Sequence, residues 1–450
     1  MAIEVASVLL FFAVSFTAPI TTNFLLDRTC VVMLGHNKSD CALLGTDNAS
    51  SATQELEKQV QPYANDISMV QSFVLSIATI VSCFFIGSWI DKNGRKPALL
   101  MGILGFTFYM LIILIIYLIP NATPWWLIVG ILPVILTGGF PTFMTVMLCY
   151  VSDVSSESQR GLRMGIFESS MAIGGLIGTL CSSYAFNAGG YITMYSISVV
   201  CCFLAFLYAL LFVPELVQQE QSEIERNKSV FNIAMMKSTF QTYFKQRESK
   251  GRIILILLTI MLVVCYLQFT CADSFTFLYV RENFNWSLKT YTYYSCFKTV
   301  MSILGSTFGI YVFQKICKAS ETTIILFGFI GIIVSLLMIG FAQKSWLLYL
   351  GGSLNFFGAS ISPLTRSMIS KIVDERDEGK VFSVISIMET LTAMIGNPFY
   401  TFIYNSTLNS FPSLIYIVSA GFLTIGMVCV ITIIIIKRCN NQVRYNELNE

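Results

Sequence analysis

The sequence predicts an all-α membrane protein with twelve transmembrane helices in two six-helix bundles. Two observations predict it. The 450-residue chain is 55% hydrophobic and 12% charged, with a mean hydropathy of +0.70, whereas soluble domains carry roughly 25% charged residues. A polar stretch at 214–252 then separates two sets of six apolar runs, each long enough to cross a hydrocarbon core of about 30 Å.

The first set lies near 3–26, 66–90, 97–119, 124–150, 162–186 and 190–213, and the second near 253–280, 290–314, 321–342, 345–372, 380–404 and 412–436. The expected domains are an N-terminal bundle at 1–213, a cytoplasmic linker at 214–252, a C-terminal bundle at 253–438 and a cytoplasmic tail at 439–450. The first run exceeds the apolar core of a signal peptide and lacks a basic start and a small-residue cleavage site, so it reads as a span. Pro19, and GGFPTF from Gly138 to Phe143, mark bends in the first and fourth helices.

Charge sets the expected orientation. Of 28 Lys and Arg, seven (Arg28, Lys38, Lys58, Arg281, Lys289, Lys298 and Lys344) fall outside or in outer helix ends, leaving 21 for the cytoplasmic side. By the positive-inside rule both termini are cytoplasmic. The sequons at Asn37, Asn48, Asn121, Asn285 and Asn405 all fall on the side this rule makes external, where glycosylation occurs. Asn227 also matches but lies in the linker. Cys30 and Cys41 share the first outer loop, where oxidation is permitted, and are expected to pair. Scattered basic residues exclude a nucleic-acid-binding face. With His36 as the only histidine, placed in a loop, no metal cluster, cofactor site or His-based catalysis is expected, and the chain does not read as an enzyme.

Between the second and third runs lies GSWIDKNGRK, Gly87 to Lys96, with glycines suited to a tight turn and to close helix approach. It resembles the loop signature of the major facilitator superfamily at Gly87, Asp91, Lys92, Gly94, Arg95 and Lys96. The resemblance implies that family's fold and a cytoplasmic latch, with Gly87, Asp91, Gly94, Arg95 and Asp153 as its residues. Residues 151–178 also align with 369–396 at an offset of 218, matching Ser152 with Ser370, Glu157 with Glu375 and Gly161 with Gly379. Such a match is expected of parallel six-helix repeats.

Tyr150 to Glu168, with VSDVSS and the pair Arg160 and Arg163, resembles the proton-coupled folate transporter family, solute carrier family 46. SPLTRSMISKIV from Ser362 to Val373, APITTNFL from Ala18 and FLYV from Phe277 resemble it too. The family's coupling histidine in the seventh helix is replaced by Gln268, and its cysteine before Trp286 by Asn285, which removes a disulfide between the first and fourth outer loops. The resemblance implies transport of a small organic anion with protons, the suggested substrates running from folates to peptidoglycan fragments.

Ionisable groups within a span cost roughly 2.5–3.5 kcal/mol each on insertion scales, so each asks for a function. Glu168, one to two turns into the fifth helix, is the expected proton site, with Glu389, one or two turns into the eleventh, secondary. Arg366 offers a planar fork for a carboxylate, and Pro363 interrupts its helix. Asp273 and Lys298 are expected to pair and, with Gln268, to line the substrate path. Tyr291, Tyr293 and Tyr294 read as interfacial anchors. In the tail, Tyr445 to Leu448, YNEL, resembles sorting signals read by clathrin adaptors, implying endosomes or lysosomes beside the plasma membrane. The expected function is proton-coupled symport by alternating access. The alternative is a receptor with a transporter's shape that moves nothing.

Overall fold

The computed structural model describes residues 2–41, 44, 51–215, 233–272, 275–286, 288–407 and 411–447. Asn48, Asp273, Asn227 and Leu448 of the YNEL stretch lie outside the described residues. Eleven helices among the described residues are long and apolar enough to cross a membrane. They are α1 (Ile3–Met33), α2 (Gln59–Asp91), α3 (Arg95–Leu118), α4 (Trp126–Asp153), α5 (Arg160–Ser182), α6 (Tyr184–Phe212), α7 (Gly251–Thr270), α8 (Lys289–Ile316), α9 (Glu321–Gly340), α11 (Glu375–Thr407) and α12 (Leu414–Cys439). The twelfth expected span, α10, consists of three short pieces, Ser345–Ser353, Asn355–Gly358 and Ile361–Ile372. Pro363 falls in the first turn of the last piece, where its missing N–H breaks no helical bond.

Two compact units form. One comprises Met1–Cys83, Asn93–Met147 and Ser170–Glu220, and the other Phe84–Lys92, Leu148–Ser169 and Gln221–Glu450. In the first, α4 is interrupted before its final piece, Gly139–Asp153, where Gly138 and Gly139 take φ of 83° and 67°, a region that glycine enters at low cost. α1, in contrast, continues as a helix through Pro19. Its far end carries the Cys30–Cys41 disulfide, with Cα atoms 5.8 Å apart.

The second unit holds a helix that the polar composition of 214–252 concealed. Ile233–Phe244 buries Thr239, whose hydroxyl lies 3.1 Å from that of Ser88, and packs Phe240 against Phe84 at 5.4 Å with the rings tilted by 41°. Tyr243 donates to Thr259 of α7 at 2.7 Å. Its described contacts run through Thr239, Phe240 and Tyr243, two of them polar, in a stretch with no long apolar run.

Candidate functional site

Three ionisable residues predicted from separate helices meet in the second unit. Arg366 stands on the last piece of α10, Glu168 on α5 and Glu389 on α11. Arg366 Nη2 donates to Glu389 Oε1 at 2.7 Å, while its Nε lies 3.7 Å from Glu168 Oε1. Ser362 joins them, accepting from Arg366 Nε at 3.2 Å and donating to Glu168 Oε1 at 2.7 Å. Ser362 was not singled out from sequence, although its i,i+4 spacing from Arg366 places both on one helix face. Arg366 is 5% exposed, and its Nη1 is buried without a hydrogen-bond partner among the described residues. Two of the guanidinium nitrogens are thus bonded and the third is buried without a partner.

Glu389 stands further along its helix than expected. Eleven residues separate it from Glu378, the first residue of the regular α-helix, about three turns at 3.6 residues each, because that helix begins before the apolar run does.

A second cluster forms around the Gly87–Lys96 turn. Asp91 accepts the backbone N–H groups of Gly379 at 3.1 Å and Lys380 at 3.2 Å, so its carboxylate caps the positive end of α11. The backbones touch here. A Cβ on Gly87 would lie 2.5 Å from the Gly379 carbonyl oxygen, and one on Gly379 would lie 2.7 Å from that of Gly87. Gly94 takes φ of 93° in the turn. Nearby, Ser152 donates to Glu378 at 2.9 Å and Arg160 donates to Ser370 at 3.2 Å. The offset of 218 that aligns Ser152 with Ser370 also aligns Arg160 with Glu378, so the repeat exchanges equivalent contacts with opposite charge. Arg95 is buried in the first unit, and Asp153 is partly buried in the second.

The remaining expected residues are dispersed. Gln268 is partly buried in a π-helical stretch, Leu267–Ala272, that continues α7. Lys298 places its ammonium over the Tyr294 ring at 5.9 Å. Tyr294 departs from the interfacial role expected for it: it is 0% exposed and packs against Trp286 and Tyr349 at 5.5 and 5.4 Å. Tyr291 is half-buried against Phe277, and only Tyr293 of the three is exposed. Helix rotation decided this, because adjacent tyrosines point in different directions. Asn37, Asn121, Asn285 and Asn405 are exposed.

Eleven long apolar helices among the described residues define a polytopic membrane protein. The family model described as Major Facilitator Superfamily matches residues 5–351 and 319–441, and the chain belongs to that family. Its curated relatives include a Drosophila melanogaster protein named Probable peptidoglycan muropeptide transporter SLC46, 29% identical over 94% of this chain and 84% of that one. The Proton-coupled folate transporter of Rattus norvegicus is 23% identical over 93% and 89%. The Lysosomal proton-coupled steroid conjugate and bile acid symporter SLC46A3 of the same species is 26% identical over 95% and 92%. Among solved structures, the human organic anion transporter MFSD10 (TETRAN) shares the fold, with a TM-score of 0.72 at 13% identity over 95% of this chain and 98% of that one. The relatives are named as transporters, and the chain is a transporter rather than an enzyme.

Proposed function

We propose that the chain is a secondary active transporter that carries a small organic anion together with a proton toward the cytoplasm by alternating access, with both termini cytoplasmic. The observation that carries this reading is Arg366 held between two carboxylates with one Nη unpartnered. With both carboxylates ionised the cluster has a net charge of −1, costly to keep in an apolar surround. One proton brings it to zero. An anion arriving alone would take the cluster to −2, whereas an anion and a proton together leave the net charge unchanged, so anion entry is favoured by the proton.

Glu168 is assigned as the proton site because its side chain is more exposed than that of Glu389, 19% against 10%, and its distance to Arg366 is longer. Protonating it would release Arg366 toward the substrate, whose carboxylate or phosphate would take the open Nη1. Glu389 then serves as the standing counter-ion. Gln268, Lys298 and Asp273 are assigned to the substrate path. The Asp91 contact with α11 is assigned as the latch that must part when the transporter opens to the cytoplasm. Glycosylation at the exposed sequons, and residence in endosomal or lysosomal membrane as well as at the cell surface, complete the proposal. The names of the relatives support a small organic substrate and protons.

Uptake by proteoliposomes, with folates, steroid conjugates, bile acids and muropeptides competing at acidic and neutral pH, tests this. Accumulation of one of these classes, faster from the acidic side, is the expected result. Binding without accumulation at either pH would identify a receptor instead.

A further inference from the structure

Arg366 meets its two acids differently. It bonds Glu389 directly, but its Nε and Glu168 Oε1 stand 3.7 Å apart, beyond the roughly 2.7–3.2 Å of an N–H···O hydrogen bond. Ser362 spans that interval. Its oxygen accepts from Arg366 Nε at 3.2 Å, and it donates to Glu168 Oε1 at 2.7 Å. A serine hydroxyl has one hydrogen to give. On this part of α10 the neighbouring hydroxyls turn back on their own helix, Ser360 to the Phe357 carbonyl at 2.8 Å and Ser370 to the Ser367 carbonyl at 2.9 Å, the common habit of helical serines. Ser362 instead sends its hydrogen across to α5.

The carboxyl that receives it is held in place. Three residues before Glu168, Gly165 lets α5 lie against α8, where any Cβ would overlap the Ser306 carbonyl. One residue after Glu168, the Ser169 hydroxyl is buried 2.6 Å from that of Ser306. α5 is thus tied to α8 on both sides of Glu168, within one of the two units. The charged groups acting on Glu168 are Arg366 on α10 and Glu389 on α11, while α8 presents the Ser306 hydroxyl and carbonyl at this turn.

We propose that Ser362 is a positioning residue that sets the acidity at which Glu168 takes its proton and keeps the Arg366 fork aimed while it does so. The inference rests on Glu168 being the proton site. The hydrogen donated by Ser362 makes a charge-assisted bond, at full strength only while the carboxyl is ionised. A hydrogen bond to the charged form favours that form, so without the hydroxyl Glu168 would accept its proton from a less acidic solution. The other half of the bridge is indifferent to that proton. Arg366 Nε stays on the Ser362 oxygen when Glu168 is neutralised, and the guanidinium keeps its orientation for the incoming anion.

The test is an infrared titration of the purified full-length chain in detergent, with no substrate present. The carbonyl band of protonated Glu168 is identified as the one missing from Glu168→Gln. Ser362→Ala is expected to raise the midpoint of that band by about one pH unit, a tenfold change in proton affinity. Ser362→Thr, which keeps the hydroxyl, should return the midpoint to that of the unaltered protein. A merely structural serine would alter Tm and leave the midpoint where it was, and that result would overturn the inference. So would a midpoint moved to lower pH, which would mean that Arg366 Nε closes the 3.7 Å gap and binds the carboxylate itself. If no band is lost in Glu168→Gln, the proton site and this inference fall together. Uptake that ignores pH, beside a midpoint raised in Ser362→Ala, would contradict coupled transport and leave the role of Ser362 standing.

Discussion

Arg366 donates to Glu389 at 2.7 Å through one Nη and leaves the other Nη buried without a partner. A guanidinium rarely gives up a donor in an apolar surround, because an unmade bond to a charged group costs more than about 1–3 kcal/mol. The open corner gains its meaning from what can enter it.

Replacing Glu168 with Gln is expected to uncouple transport from protons. The amide imitates the protonated carboxyl, so exchange of substrate across the membrane should persist while accumulation driven by a pH gradient disappears. Counterflow and net uptake, measured side by side, check this. A variant that keeps both activities and their pH dependence would remove Glu168 from the mechanism.

Glu389→Ala should be the most destabilising of the site substitutions. It strands Arg366 without its closest counter-ion, and breaking a buried pair by removing one partner costs roughly 3–5 kcal/mol. Thermal unfolding in detergent reads the loss. The Arg366→Met/Glu389→Met/Glu168→Gln triple variant, which removes all three charges, should regain most of that Tm while remaining inactive.

Arg366→Lys should bind substrate almost as poorly as Arg366→Ala. An ammonium cannot donate to Ser362, Glu389 and a substrate oxyanion in the fixed geometry of the fork. Equal substrate affinity in the lysine variant and the unaltered protein would mean that the arginine is only an anchor.

Gly379→Ala should disturb the Asp91 contact. The added Cβ would lie 2.4 Å from Asp91 Oδ1 and 2.7 Å from the Gly87 carbonyl oxygen, an overlap of the kind that costs about 1–3 kcal/mol. Cysteine accessibility from the cytoplasmic side of oriented vesicles should rise as the latch loosens. Unchanged accessibility and Tm would show that α2 and α11 part without penalty.

The ionisable residues of the site were legible because Glu168, Arg366 and Glu389 stand out against long apolar runs, where each charge is expensive. Their pairing was not. Which of two acids an arginine chooses depends on helix rotation, which an apolar run does not reveal. The same ambiguity hid the burial of Tyr294. Twelve spans were readable from hydropathy, including the broken α10, whose breaks at 354 and 359–360 do not lower its apolar content. The Ile233–Phe244 helix was not, because it docks through Thr239, Phe240 and Tyr243 in a stretch that composition marks as polar. Glu378 was hidden in a charged turn, and only the repeat that aligns it with Arg160 would have revealed it.

The most direct test of proton–anion coupling at Arg366 is proton movement evoked by substrate. Proteoliposomes loaded with a pH-sensitive dye, at equal pH on both sides, receive the best substrate from the uptake screen. Coupled entry predicts acidification of the lumen on substrate addition, in step with uptake, and its loss in Glu168→Gln even where substrate still exchanges. Substrate uptake with no acidification in the unaltered protein, or acidification unchanged by Glu168→Gln, would contradict the account.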